Sequence, residues 1–70
     1  PAAQALDSEL LADALKQLDQ KYRDVIMLRY FEDKEYEEIS DILQIPVGSV
    51  GTLLHRGKHK LQALVASKLV

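Results

Sequence analysis

The 70-residue chain contains no cysteine, which excludes disulfide bonds, thiol nucleophiles and cysteine metal sites together. Glycine is scarce, three in all, and none of the three belongs to a glycine-rich phosphate loop ahead of a helix. Long hydrophobic runs are missing too. Uninterrupted apolar stretches reach only the length of Val25-Ile26-Met27-Leu28, far short of the roughly 20 residues that cross a bilayer. No basic-then-apolar leader opens the chain, so no membrane contact and a cytoplasmic location are the expectation. A start at Pro1 without methionine reads as a piece of a longer protein, with residues 1–70 forming one small domain.

Acidic residues are absent from the last 20 positions, and this is the most informative gap. Residues 1–50 carry all 11 acids against Lys16, Lys21, Arg23, Arg29 and Lys34, a net of −6. Residues 51–70 carry Arg56, Lys58, Lys60 and Lys68, a net of +4, with His55 and His59 among them. The overall charge of −2 discourages a polyanion partner, whereas the split provides one face that would attract it. From charge alone, a solvated helix face explains the pattern as well.

What is present suits a folded soluble chain: 47% hydrophobic and 29% charged residues argue against disorder and low complexity. Four apolar-periodic stretches follow, all at helical spacing. Leu6, Leu10, Leu11, Ala14, Leu15 and Leu18 predict a helix over about residues 7–18, capped by Asp7 or Ser8. Asp19 is a good N-cap for a second helix carrying Tyr22, Val25, Ile26, Met27, Leu28, Tyr30 and Phe31. Because that helix is apolar nearly all round, it is expected in the middle of the bundle, with its aromatics in the core. Glu32-Asp33-Lys34-Glu35 reads as a connection. Tyr36, Ile39, Ser40, Ile42 and Leu43 then mark a third helix.

Pro46 disfavours helix at Ile45 and suits the first turn of a new helix, so Ile45-Pro46 is both a stop and a restart. The fourth helix runs from about Val47, with Val50, Leu53, Leu54, Gly57, Leu61, Leu64, Val65 and Leu69 inward. Thr52, His55, Arg56, Lys58, His59, Lys60 and Gln62 face outward. Gly48, Gly51 and Gly57 each weaken a helix by about 1 kcal/mol, so each requires a packing reason, a close approach, or fraying. The apolar end near Val65, Leu69 and Val70 reads as a projecting contact surface.

Helices three and four are joined by Gln44-Ile45-Pro46, the connection length of a DNA-binding helix-turn-helix, here at about residues 35–60. In such a unit the second helix enters the major groove. Thr52, His55, Arg56 and His59 sit at i, i+3, i+4 and i+7, on a single stripe facing away from the leucines.

Tyr22-Arg23-Asp24-Val25-Ile26-Met27-Leu28-Arg29-Tyr30, Tyr36-Glu37-Glu38-Ile39-Ser40, Ile45-Pro46-Val47-Gly48-Ser49-Val50, and His55-Arg56-Gly57-Lys58 with Leu61 fall in the order and spacing of one known family. Over residues 10–64 the chain resembles region four of bacterial sigma factors, closest to the extracytoplasmic-function group. A LuxR-type output domain shares the layout, but it usually has a different turn and a lysine-rich start to its last helix. The resemblance implies an all-α, four-helix domain with a C-terminal helix-turn-helix, within the winged-helix-like group of DNA-binding folds.

It also implies recognition of the promoter minus-35 element in double-stranded DNA, contact with the beta-flap of the RNA polymerase core, and an anti-sigma partner. By position, Ser49, Thr52, His55 and Arg56 align with the family's groove and backbone contacts, and Lys58 with a basic position further along. His59 and Lys60 extend the basic outer side. Tyr36 and Glu37 fall where the family approaches phosphate. Five positions depart from the family pattern. Gly51 and Leu53 replace expected cations, Asp19 replaces a proline, Glu35 replaces a Ser or Thr cap that Asp33 could supply, and Gln44 holds a turn position often taken by glycine.

Other chemistries fit less well. His55 and His59 have metal-ligand spacing without a third ligand, so neither a metal nor another cofactor is expected. Glu32, Asp33, Glu35, Glu37, Glu38 and Asp41 could pair as catalytic carboxylates, yet no nucleophile or cleft accompanies them, and no enzyme is expected. One rival remains: a sigma-like module that binds polymerase or a regulator with little DNA readout, favoured by the lost cations and the acidic first 50 residues.

Overall fold

The four expected helices all form. A computed structural model, which describes residues 2–68 with side chains from residue 9 onward, contains α1 (Ala2–Gln17), α2 (Gln20–Ile26), α3 (Tyr36–Leu43) and α4 (Val47–Lys68). There is no strand among the described residues. Beyond Ile26, α2 continues as a π-helical turn, Met27–Phe31, closed by the Glu32 N–H donating to the Met27 carbonyl at 3.1 Å.

The first helix begins at Ala2, five residues before the expected start. Asp7 and Ser8 are therefore inside it and cannot be its N-cap. The side chains of Leu6, Asp7 and Ser8 lie outside the described ones, as do Leu69 and Val70. At the other end, Arg23 Nη1 reaches back to the carbonyls of Leu15, Lys16 and Leu18 at 3.4–3.5 Å. The Leu15 carbonyl also accepts from the Leu18 N–H at 3.2 Å, and a cation beside the carbonyls at a helix C-terminus suits the helix dipole.

Asp19 does occupy the N-cap of α2, with extended backbone (φ −54°, ψ 142°), but its side chain makes no capping hydrogen bond. Its carbonyl instead accepts from the N–H groups of Tyr22 and Arg23, both at 3.0 Å. The capping expectation is thus met by backbone placement alone.

Ala14, Leu15, Leu18, Tyr22, Val25, Ile26, Ile39, Val50 and Leu54 form the buried core. The central element is α4, which packs against α1, α2 and α3; it was α2 that its all-round apolar character placed in the middle. The reason lies in the π turn. Tyr22 is buried, but Tyr30 and Phe31, which belong to the π turn rather than to the regular α2 helix, are 53% and 56% exposed. Met27 is also at the surface.

Close packing of α4 on α2 depends on Gly57. A Cβ there would stand 3.1 Å from both Ile26 Cδ1 and Tyr22 Cβ. The packing reason expected of the helix glycines thus exists at Gly57, while a Cβ at Gly48 would meet nothing within 4 Å. Lys68 Nζ and Asp13 Oδ2, 3.7 Å apart, tie the far end of α4 to α1. No described helix is long and apolar enough to cross a membrane.

Candidate nucleic-acid interface

The connection between α3 and α4 is held by Ser40. Its carbonyl accepts from the Ile45 N–H at 3.1 Å, and its hydroxyl donates to the Ile45 carbonyl. Gln44 between them is left-handed (φ 56°, ψ 50°), a conformation that costs a non-glycine residue about 1–2 kcal/mol. Gln44 thus takes a conformation that a glycine there would adopt without that cost, and its Nε2 donates to the Asp41 carbonyl at 2.7 Å. After Ile45, Pro46 precedes the first residue of α4, and its carbonyl accepts from the Ser49 N–H at 2.9 Å.

Glu35 turns out to be an adequate cap for α3. It forms a capping box with Glu38, in which a Glu38 carboxylate oxygen accepts from the Glu35 N–H at 2.8 Å. Asp33, the proposed substitute, is two residues too early and sits at φ 59° in the connection. Two members of the acidic cluster therefore serve the backbone. All six of its carboxylates are exposed, as a solvated helix end requires.

Thr52, His55, Arg56 and His59 are all exposed on the side of α4 opposite the buried Val50, Leu54 and Gly57. Ser49 is half-buried. A shallow groove runs over Ile45, Gly48, Ser49, Thr52, Leu53 and Arg56, so the turn and the first half of α4 form one surface. Thr52 Oγ1 donates to the Gly48 carbonyl at 3.3 Å, which leaves its lone pairs and methyl for an incoming ligand. His55 and His59 pack edge to face, with ring centroids 4.7 Å apart. No cluster of three or more metal-ligating side chains is present among the described residues.

Lys58 and Lys60 do not extend this stripe. Lys58 Nζ lies over the Tyr30 ring at 5.6 Å and Lys60 Nζ over the Tyr22 ring at 5.6 Å. The two exposed ammonium groups therefore rest over rings of the α2 segment, and Arg56 stands as the cation within the stripe itself. Leu53 is half-buried against the core, which explains how an apolar residue is accommodated where a cation was expected. Gly51 faces Tyr36: a Cβ there would stand 3.6 Å from the ring atom Cε2. Tyr36 and Glu37 are exposed at the start of α3, beside the N–H groups that the helix leaves free.

Arg29 had not been singled out. Its Nη1 donates to the Lys34 carbonyl at 3.0 Å and lies 4.0 Å from Glu35 Oε1, and its guanidinium carbon is 5.5 Å from the Tyr36 ring centroid. Arg29 sits in the π turn, and no spacing rule announces a π turn.

Residues 8–61 of this helix-turn-helix chain match the family model described as sigma-70, region 4. The chain belongs to the sigma-70 region 4 family. Within it, the chain is similar to sigma factors of the extracytoplasmic-function type. It is 42% identical over 55 residues to the ECF RNA polymerase sigma factor SigW of Bacillus subtilis, covering 79% of this chain and 29% of that protein. Against the RNA polymerase sigma-E factor of Streptomyces coelicolor the identity is 40% over 67 residues, covering 94% and 38%. For the RNA polymerase sigma factor YlaC of Bacillus subtilis it is 35% over 60 residues, covering 86% and 35%. This region 4 domain thus spans about a third of the length of the curated relatives it matches.

Proposed function

We propose that this domain reads the minus-35 element of bacterial promoters as part of an RNA polymerase sigma factor. The observation that carries the reading is the Thr52, His55, Arg56 and His59 stripe. It is exposed on the outer side of α4, directly after a turn closed by Ser40, in a chain that belongs to the region 4 family. Seven residues of α-helix rise about 10 Å, so the stripe spans about three base steps of 3.4 Å each.

In this reading α4 enters the major groove. Arg56 offers two parallel donors to guanine O6 and N7 or to a phosphate. Thr52, His55 and His59 supply further donors, acceptors and apolar contact. Ser49 meets the backbone at the helix start. Lys58 and Lys60, flexible and each on a tyrosine face, swing toward phosphates on either flank. Tyr36, its ring facing Gly51 of α4, contributes an exposed phenol. Glu37 marks the edge of that approach, since its carboxylate repels phosphate.

The proposed partners are double-stranded promoter DNA and the RNA polymerase core through its beta-flap, with an anti-sigma factor as regulator. The domain is a binding element of a cytoplasmic factor, with residues 1–70 as a single unit of a longer chain. Promoter binding by holoenzyme containing the full sigma chain tests the reading. Arg56→Ala should weaken binding and flatten its salt dependence by nearly one unit of slope. Unchanged affinity and slope would transfer the domain to the protein-interaction class.

A further inference from the structure

The π turn presents two consecutive side chains to the two helices of the helix-turn-helix. Tyr30 lies beneath Lys58 of α4, and Arg29 reaches Glu35 and Tyr36 at the start of α3. Around Arg29 the connection is tied on both sides of Lys34: the Lys34 N–H donates to the Leu28 carbonyl at 2.9 Å, and the Lys34 carbonyl accepts from Arg29. The chain here passes through Asp33 in the left-handed region, a conformation that persists only when its surroundings hold it.

Beyond the connection, the Arg29 guanidinium lies over the Tyr36 ring, 5.5 Å from its centroid, and that ring faces Gly51 of α4, where a Cβ would meet Cε2 at 3.6 Å. A continuous row, Arg29 to Tyr36 to Gly51, therefore joins the α2 segment to the reading helix at the position where that helix has no side chain.

We propose that Arg29 is a positioning residue for DNA contact by this helix-turn-helix, fixing the 32–35 connection and holding Tyr36 against Gly51. The role rests on the promoter-reading function above. Its planar guanidinium donates to a carbonyl while lying over a ring, a geometry that the compact lysine ammonium does not reproduce. Tyr36 then stands beside the flank of α4 at position 51, where a Cβ would meet its ring only in ordinary contact, and it reaches DNA only while Arg29 sets its ring.

The test is promoter binding by reconstituted holoenzyme with the full sigma chain, over a salt series, with thermal melting of each variant. Arg29→Lys keeps the charge and should weaken binding on the order of fivefold, about 1 kcal/mol by the affinity relation. Arg29→Met should do the same with an unchanged salt slope, and neither change should cost affinity further in a Tyr36→Ala background. Wild-type binding by Arg29→Lys overturns the proposal even if Arg29→Met fails to fold. A slope lowered by nearly one unit in Arg29→Met makes Arg29 a direct phosphate clamp and overturns it as well. So does an equal loss in the Tyr36→Ala background. Joint replacement of Thr52, His55 and Arg56 by alanine separates the two readings: if it leaves binding intact, the promoter-reading function itself falls. If it disrupts binding while the Arg29 variants do not, the positioning role alone falls.

Discussion

Gly57 lets α4 lie on Tyr22. A Cβ at position 57 would stand 3.1 Å from Tyr22 Cβ, an atom one bond from the backbone that cannot move without its helix. Ile26 Cδ1, at the same distance, could rotate away, so Tyr22 decides the outcome. Gly57→Ala should be destabilising by about 1 kcal/mol, because overpacking by about 1–3 kcal/mol outweighs the roughly 1 kcal/mol gained in helix propensity. Urea unfolding monitored by circular dichroism measures it.

Gly48→Ala should behave oppositely. Nothing stands within 4 Å of a Cβ there, and the position is helical. A gain of about 0.5–1 kcal/mol is expected in the same unfolding experiment. The opposite signs at two glycines of one helix separate packing from propensity.

Ser40→Ala removes the hydroxyl that donates to the Ile45 carbonyl and leaves Gln44 in its left-handed conformation. Stability should fall by about 1 kcal/mol. Adding Gln44→Gly should recover part of the loss, since glycine adopts that conformation without the steric cost. Thermal melting of the single and double variants checks both effects.

Gly51→Lys fits the space beside Tyr36, where a Cβ meets Cε2 at 3.6 Å, an ordinary contact. Restoring a cation at this position should strengthen promoter binding and steepen the dependence of log affinity on log salt by about 0.9. Fluorescence anisotropy across a salt series with holoenzyme reads the slope directly.

The helix-turn-helix was legible because its signals are local. Ile45-Pro46 marks the restart of the chain, the leucine spacing of α4 marks its buried side, and Thr52, His55, Arg56 and His59 follow as its opposite. Gln44 was readable as a glycine-like position that carries strain. The exposure of Tyr30 and Phe31 was not legible, because a π turn has no periodic signature and changes which residues share a face. Periodicity alone made core residues of them. Lys58 and Lys60 are exposed, as the outer side requires, but their placement over Tyr30 and Tyr22 depends on tyrosines of another segment, which linear spacing cannot report. Glu35 as a cap became visible only with Glu38 beside it, although the three-residue interval was present in the sequence.

The central claim is that the outer stripe of α4 reads promoter bases. In vitro transcription with polymerase core and the full sigma chain tests it most directly, comparing wild type with Thr52, His55 and Arg56 changed together to alanine, on promoters with randomised minus-35 elements. A promoter-reading helix predicts that the wild type selects a defined element and that the triple variant loses or relaxes the preference. An unchanged preference in the triple variant, with polymerase binding intact, would contradict it.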